Sequence, residues 1–332
     1  MIPFKKTFAL FLTAALSLSG CAKAPDNTST PVTLNEVAHS IFYAPQYAAI
    51  ELGYFDDEGI DLTLINGAGA DKVMTALVSG DADIGFMGSE ASIYTYANGA
   101  SDYAVNFAQL TQRAGNFLVG RQPDASFQWG KLKGAKVLGG RAGGMPEMVF
   151  EYILKKHGID PKTDLTIDQS ISFGLTAAAF TSSDADYTVE FEPFATGLET
   201  EGNGYVVASL GTDSGYVPYT AYCAKQSYIE KNPQIIQRFT NAIQRGLDYV
   251  NSHSSEEIAK TIKPQFAETD LDKITKIVDR YKQQDTWKGD TIFQKESFDL
   301  LQNILEEAGE LSERVPYEDL VVTDYAKKAA GK

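Results

Sequence analysis

The chain has 332 residues, 43% of them hydrophobic and 11% aromatic, and a formal charge of −15. Such a composition can bury a sizeable core, and at about 100–200 residues per domain the length accommodates two lobes. So acidic a body is repelled by phosphate backbones and anionic membrane surfaces, which excludes nucleic acid as a partner.

The amino terminus reads as an export signal: Lys5 and Lys6 supply positive charge ahead of a short apolar run over residues 8–18. That run is too short to span a bilayer, which takes about twenty apolar residues. It ends in Leu18-Ser19-Gly20-Cys21, which resembles a bacterial lipobox, whose cysteine is lipid-modified after cleavage. The expectation is a signal peptide over residues 1–20, lipid on Cys21, and a flexible tether over residues 21–31, rich in Ala, Pro, Ser, Thr, Asn and Asp. The mature body, of charge −17 once Lys5 and Lys6 are lost, would then be extracytoplasmic and anchored to the bacterial cell membrane. With Cys21 occupied, Cys223 has no disulfide partner and reads as a small packing residue.

From residue 31 short apolar strands alternate with amphipathic helices, the pattern of a layered α/β fold. Strands are expected over residues 32–37, 61–65, 84–87, 105–110, 117–119, 135–139, 165–167, 187–191, 204–209 and 219–224. Helices are expected between them over residues 45–52, 70–79, 91–98, 146–156 and 175–180. Strands that alternate with helices pair in parallel as a rule, and ligands collect at their carboxyl ends. One echo stands out: a helix, the turn Asp81-Ala82-Asp83 and a strand recur 103 residues later around Asp184-Ala185-Asp186. Two similar α/β lobes would produce it, and the cleft between lobes is a preferred ligand site. Beyond residue 225 only helices are expected, over residues 233–250, 255–262, 270–283 and 294–308, with Asn232, Ser255 and Asp270 at their starts.

Several segments carry a family resemblance. Ala44-Pro45-Gln46-Tyr47-Ala48-Ala49, Gly53-Tyr54-Phe55 and Glu58-Gly59-Ile60-Asp61-Leu62 are joined by Leu132-Lys133-Gly134-Ala135-Lys136-Val137, Glu190-Phe191-Glu192-Pro193-Phe194 and Tyr228-Ile229-Glu230-Lys231-Asn232-Pro233. In this order they resemble the substrate-binding proteins of the sulfonate, taurine, nitrate and thiamin-precursor importers, over roughly residues 32–310. The resemblance implies a two-lobed periplasmic-binding-protein type II fold with two crossover strands and a C-terminal helical segment. It puts the crossovers near residues 109–113 and 218–221, lobe I at residues 32–110 plus 221–332, and lobe II at residues 111–220. It also implies a monomer that closes on a small solute and docks on an ABC permease with its ATPase, with no cofactor.

Loops that lead from strand ends into helix amino termini present free amides and the positive end of the helix dipole. Candidate ligand contacts on them are His39, Phe42, Tyr43, Gly67, Ser89, Glu90, Arg141, Gly143, Gly144 and Phe173. Each such loop serves equally well as a helix cap; their recurrence along the chain favours a pocket. The glycine loop over residues 139–144 lacks the Gly-Lys-Ser/Thr ending of a nucleotide cradle. Where the sulfonate-binding relatives carry serines it has Gly143 and Gly144, which argues against a sulfonate. Phe42, Tyr43, Phe173 and Tyr216 on loops, with Tyr219, are candidates for packing on a flat ligand, while Tyr47, Phe86, Tyr187 and Phe191 are equally core. Glu190 and Glu192, two apart in a strand, share a face. Turned to the cleft, Glu190 would accept hydrogen bonds from an amino group; at a solvated strand end it would do nothing specific. Together these features favour a neutral or weakly cationic flat heterocycle, such as a thiamin pyrimidine precursor, over sulfonate, taurine or nitrate.

No metal-ligand spacing occurs among His39, His157 and His253, and neither a His-Glu-x-x-His, a Cys-x-x-Cys nor a Gly-x-Ser-x-Gly is found. No catalytic residue is therefore assigned. The competing enzyme reading uses the same fold, as in eukaryotic pyrimidine synthases, but those carry a cysteine-rich iron motif that this sequence lacks. A signalling or adhesion lipoprotein is the third class.

Overall fold

The computed structural model describes residues 29–171 and 174–332; the expected signal peptide, Cys21, most of the tether and Phe173 lie outside the described residues. Ten strands form among them: β1 (Thr30–Glu36), β2 (Ile60–Asn66), β3 (Ile84–Met87), β4 (Ala104–Thr111), β5 (Phe117–Gly120), β6 (Lys136–Leu138), β7 (Thr166–Asp168), β8 (Tyr187–Glu190), β9 (Tyr205–Ser209) and β10 (Thr220–Lys225). Each lies within about two residues of its expected position, because every one is a short apolar run bounded by turn residues. They assemble into two five-stranded sheets, ordered β2-β1-β3-β10-β4 and β7-β6-β8-β5-β9.

Pairing is parallel among β1, β2 and β3 and among β6, β7 and β8, as the alternation with helices predicts. It is antiparallel where β10 meets β3 and β4 and where β5 meets β8 and β9, the exceptions to that rule. The cause is the route of the chain. After β4 it leaves the first sheet through residues 112–116 and enters the second as β5; it returns through residues 214–219 and enters the first as β10. A strand that arrives from the other sheet starts at the facing edge and must run away from it, opposite to its neighbours.

The repeated Asp-Ala-Asp turn has a structural cause. Asp83 accepts the Thr33 N–H of β1 at 2.8 Å while its own N–H bonds the Thr33 carbonyl. Asp186 does the same at Lys136 of β6, at 2.9 Å. In both halves the second aspartate pins the start of the next strand to the same neighbour, fifty residues back in each case.

The C-terminal helices close over the first sheet. The helix Pro233–Ser252 buries Ile236, Phe239, Ile243, Leu247 and Val250 along one face. It starts at Pro233, whose missing N–H costs nothing in a first turn. Asn232 precedes it, but its side chain donates to the Tyr228 carbonyl instead of capping the helix. The next helix, Ser255–Ile262, is capped by Ser254 in a reciprocal box with Glu257. The helix Leu271–Gln283 spans both halves: Arg280 pairs with Glu192 and Glu199 of the second, and Tyr281 donates to the Gly115 carbonyl in the outgoing crossover.

Candidate functional site

The carboxyl ends of β1, β3, β6 and β8 and both crossovers border one cavity, with about 960 Å³ of space free of protein atoms, counting the solvent at its mouth. Most of its wall is apolar: Val37, Ala38, Met145, Val189, Phe191 and the rings of Tyr43 and Tyr219. Ala70, Glu90, Met145, Thr176 and Phe194, each the first residue of a helix, also line it. The amino ends of helices from both halves thus converge on one space, where free backbone N–H groups are available.

Ser40 leaves β1 and caps the turn Ile41–Tyr43, accepting the Phe42 N–H, while its hydroxyl donates to the Glu192 carbonyl of the second half at 2.9 Å. This holds Tyr43 against the cavity. After β3, Gly88 leaves room for the Glu90 carboxylate: a Cβ there would lie 2.1 Å from one of its oxygens and would displace it. The Glu90 carboxylate therefore folds back over its own loop, 3% exposed, and its Oε2 has no partner. Burial raises it to about 7, against the opposing pull of its own backbone N–H, of Arg141 and of the Met145 N–H. Across the cavity Glu190, at the end of β8 and 1% exposed, accepts from the hydroxyls of Thr176 at 3.0 Å and Thr188 at 2.6 Å. Burial likewise lifts it to about 7. Asn116, in the outgoing crossover, also lines the cavity and accepts the Tyr219 hydroxyl at 2.6 Å.

Of the candidate contacts, Tyr43, Glu90, Arg141, Gly144, Glu190 and Tyr219 meet at the cavity. The other candidates among the described residues stand elsewhere. His39 is turned away, held by the Glu36 carboxylate and the Gln265 carbonyl, both at 2.8 Å, and packed on Phe266. Phe42 is fully buried in an aromatic cluster with Tyr219, Phe191 and Tyr281. Gly67 backs onto the Asn35 amide, and Gly69 lines the cavity in its stead. Ser89 donates to the Pro218 carbonyl at 2.8 Å and so fastens the returning crossover. Gly143 supports the glycine loop, its N–H bonded to Glu147 and its carbonyl to the Tyr94 hydroxyl. Tyr216 lies under Arg113 and bonds Asp285. Asn116, Thr176 and Ser40 were not anticipated, since nothing in their flanking sequence distinguishes a crossover or a cap from other polar turns.

A cleft walled by two such sheets, entered by helix amino termini and crossed by two strands of connecting chain, defines a solute-binding protein of the periplasmic-binding type. A family model described as NMT1/THI5 like matches residues 41–257, and the chain belongs to that family. It is 44% identical, over 95% of its length and 94% of the relative's, to a Bacillus subtilis protein provisionally named binding protein YtlA. It is 25% identical to the 4-amino-5-hydroxymethyl-2-methylpyrimidine phosphate synthase of Candida albicans, over 69% of this chain and 70% of that one. Among solved structures, the ligand-binding component of an ABC-type import system from Staphylococcus aureus superposes with a TM-score of 0.73 at 14% identity, covering 90% of this chain and 99% of that one. No helix among the described residues is long and apolar enough to cross a membrane.

Proposed function

We propose that this chain is the solute-capturing component of an ABC importer, anchored outside the cell membrane by lipid on Cys21, and that its solute is a flat, amino-bearing heterocycle of the thiamin-pyrimidine kind. Its two lobes, residues 32–110 with 221–332 and residues 111–220, would close on the solute and dock as a monomer on the permease and its ATPase. The observation that carries the ligand class is the pair of buried carboxyl groups, Glu90 and Glu190, which outnumber Arg141, the one cation among the described residues that line a cavity otherwise largely apolar and aromatic. In its ionised form a carboxyl group there accepts hydrogen bonds from amino groups and repels the charge of a sulfonate or nitrate. The glycine loop supports the same choice, since Gly140 and Gly144 bring backbone but no hydroxyl to the wall.

Binding rather than catalysis is supported by the B. subtilis relative, which matches nearly end to end, whereas the synthase shares a quarter of its residues over about two thirds of the chain. The test is a thermal-shift titration of the mature protein with aminohydroxymethylpyrimidine, riboflavin, taurine and nitrate. Stabilisation by the pyrimidine or the flavin is expected, and a shift with taurine or nitrate alone would refute the ligand class.

A further inference from the structure

Two buried polar atoms on the cavity wall lack partners, and they are of opposite kinds. Glu90 Oε2 is an acceptor at the start of the helix Glu90–Ala97; Asn116 Nδ2 is a donor in the outgoing crossover. Both residues are nearly inaccessible, at 3% and 1% exposure, and both line the same space. The rest of Asn116 is committed: Oδ1 accepts the Tyr219 hydroxyl, and the backbone carbonyl accepts the Leu210 N–H at 3.0 Å. Tyr219 in turn is packed edge-on against Phe42, with ring centroids 5.7 Å apart. The amide is thus held with its N–H groups unsatisfied. Buried donors and acceptors are nearly always paired, and an unpaired one in a ligand cavity marks where the ligand supplies the partner.

We propose that the solute is read by this pair: it donates an N–H to Glu90 Oε2 and presents an unprotonated acceptor to Asn116 Nδ2. The class that does both while lying flat among Tyr43, Tyr219 and Phe191 is an amino-substituted nitrogen heterocycle. An oxyanion brings acceptors only and leaves Glu90 unmet; a quaternary ammonium brings neither. Asn116 is accordingly a specificity-determining residue. The inference rests on the binding reading above and sharpens it from an amino-bearing ligand to a donor and acceptor in fixed places.

The experiment is isothermal titration of the mature protein, wild type and with Asn116→Leu or Asn116→Asp, against aminohydroxymethylpyrimidine and its oxo counterpart, in which a carbonyl replaces the amino group. The expected result is wild-type preference for the amino compound and a roughly tenfold or larger loss of affinity for it in each variant, since each removes the donor. Melting of the ligand-free variants shows whether they fold, and the leucine variant avoids burying a new charge. Equal affinity of wild type and folded Asn116→Leu for the amino compound overturns the inference while leaving the binding reading intact. Failure of the wild type to bind either pyrimidine overturns the proposed ligand class itself.

Discussion

Replacing Glu190 by Gln is expected to stabilise the empty protein above neutral pH and to leave it little changed in acid. Burial lifts this carboxyl from 4.5 to about 7, and its two hydroxyl donors, Thr176 and Thr188, offset only part of that lift. Because the folded-state value is raised, the folded chain holds a proton that the unfolded chain has already shed between pH 4.5 and 7. Stability therefore falls as pH rises through that window, and above it the full penalty applies. A difference of this size amounts to about 3 kcal/mol. Gln keeps one oxygen to accept one threonine hydroxyl, can donate its amide N–H to the oxygen of the other, and never ionises, so it escapes the penalty. For a folding unit of 150–250 residues that is roughly 6–12 °C in melting temperature. The assay is thermal melting of ligand-free wild type and Glu190→Gln at pH 5 and pH 8. The buried Glu147, raised to about 8, adds to the pH slope of both proteins and cancels in their difference. A difference between variant and wild type that does not grow from pH 5 to pH 8 would refute the reasoning, because Glu190 would then ionise in the folded cavity as freely as in water.

Three further outcomes follow from the packing. Gly246→Ala would set a Cβ 2.1 Å from the Pro45 carbonyl oxygen, forcing the helix Pro233–Ser252 off the helix Ala44–Glu51; overpacking of this kind costs about 1–3 kcal/mol or more, measurable by denaturant unfolding. Arg280→Met would strip the fully buried Glu192 carboxylate of its cation and leave it only the Thr196 N–H and hydroxyl, a loss of about 3 kcal/mol, the low end for a broken buried pair because Arg280 is one-fifth exposed. Adding Glu192→Gln to that variant should recover much of the loss in a double-mutant cycle. Cys223, buried with its thiol pushed up to about 12, should resist thiol reagents in the folded protein and react on unfolding, as a time course of labelling in denaturant would record.

The strands and the longer helices were legible because each depends on local patterning, whereas the helix Phe194–Glu201, whose start lines the cavity, was not; the Asp-Ala-Asp echo was, because the same two bonds are made in both halves. The direction of β5 and β10 was not, since it follows from which sheet the chain enters and not from the residues of those strands. The site was read best where a residue's surroundings are set nearby. Glu90 stands shortly after β3, at the start of the next helix, and Glu190 at the end of β8, and both reach the cavity. His39 stands at an equivalent place and does not, because its partners Glu36 and Gln265 lie 3 and 226 positions away, and the distant one turns the ring outward.

Asn116 shows the limit most clearly. Its neighbours in sequence mark only a turn, yet its amide is oriented by a tyrosine 103 positions on, at the mouth of the other crossover. The two crossovers are thus tied to each other by a side-chain bond at the wall of the cavity, and the Ser89 hydroxyl fastens the returning one to the loop that carries Glu90. A ligand that bonds both Glu90 and Asn116 would therefore pull on the chain segments about which the proposed lobes would turn, which would couple the groups reading its chemistry to closure. Loosening this coupling with Ser89→Ala should leave the fold and cavity intact and weaken binding by less than the loss of Asn116. Titration of both variants with the same pyrimidine checks that order, and a larger effect at Ser89 would argue that closure, and not recognition at Asn116, dominates the affinity.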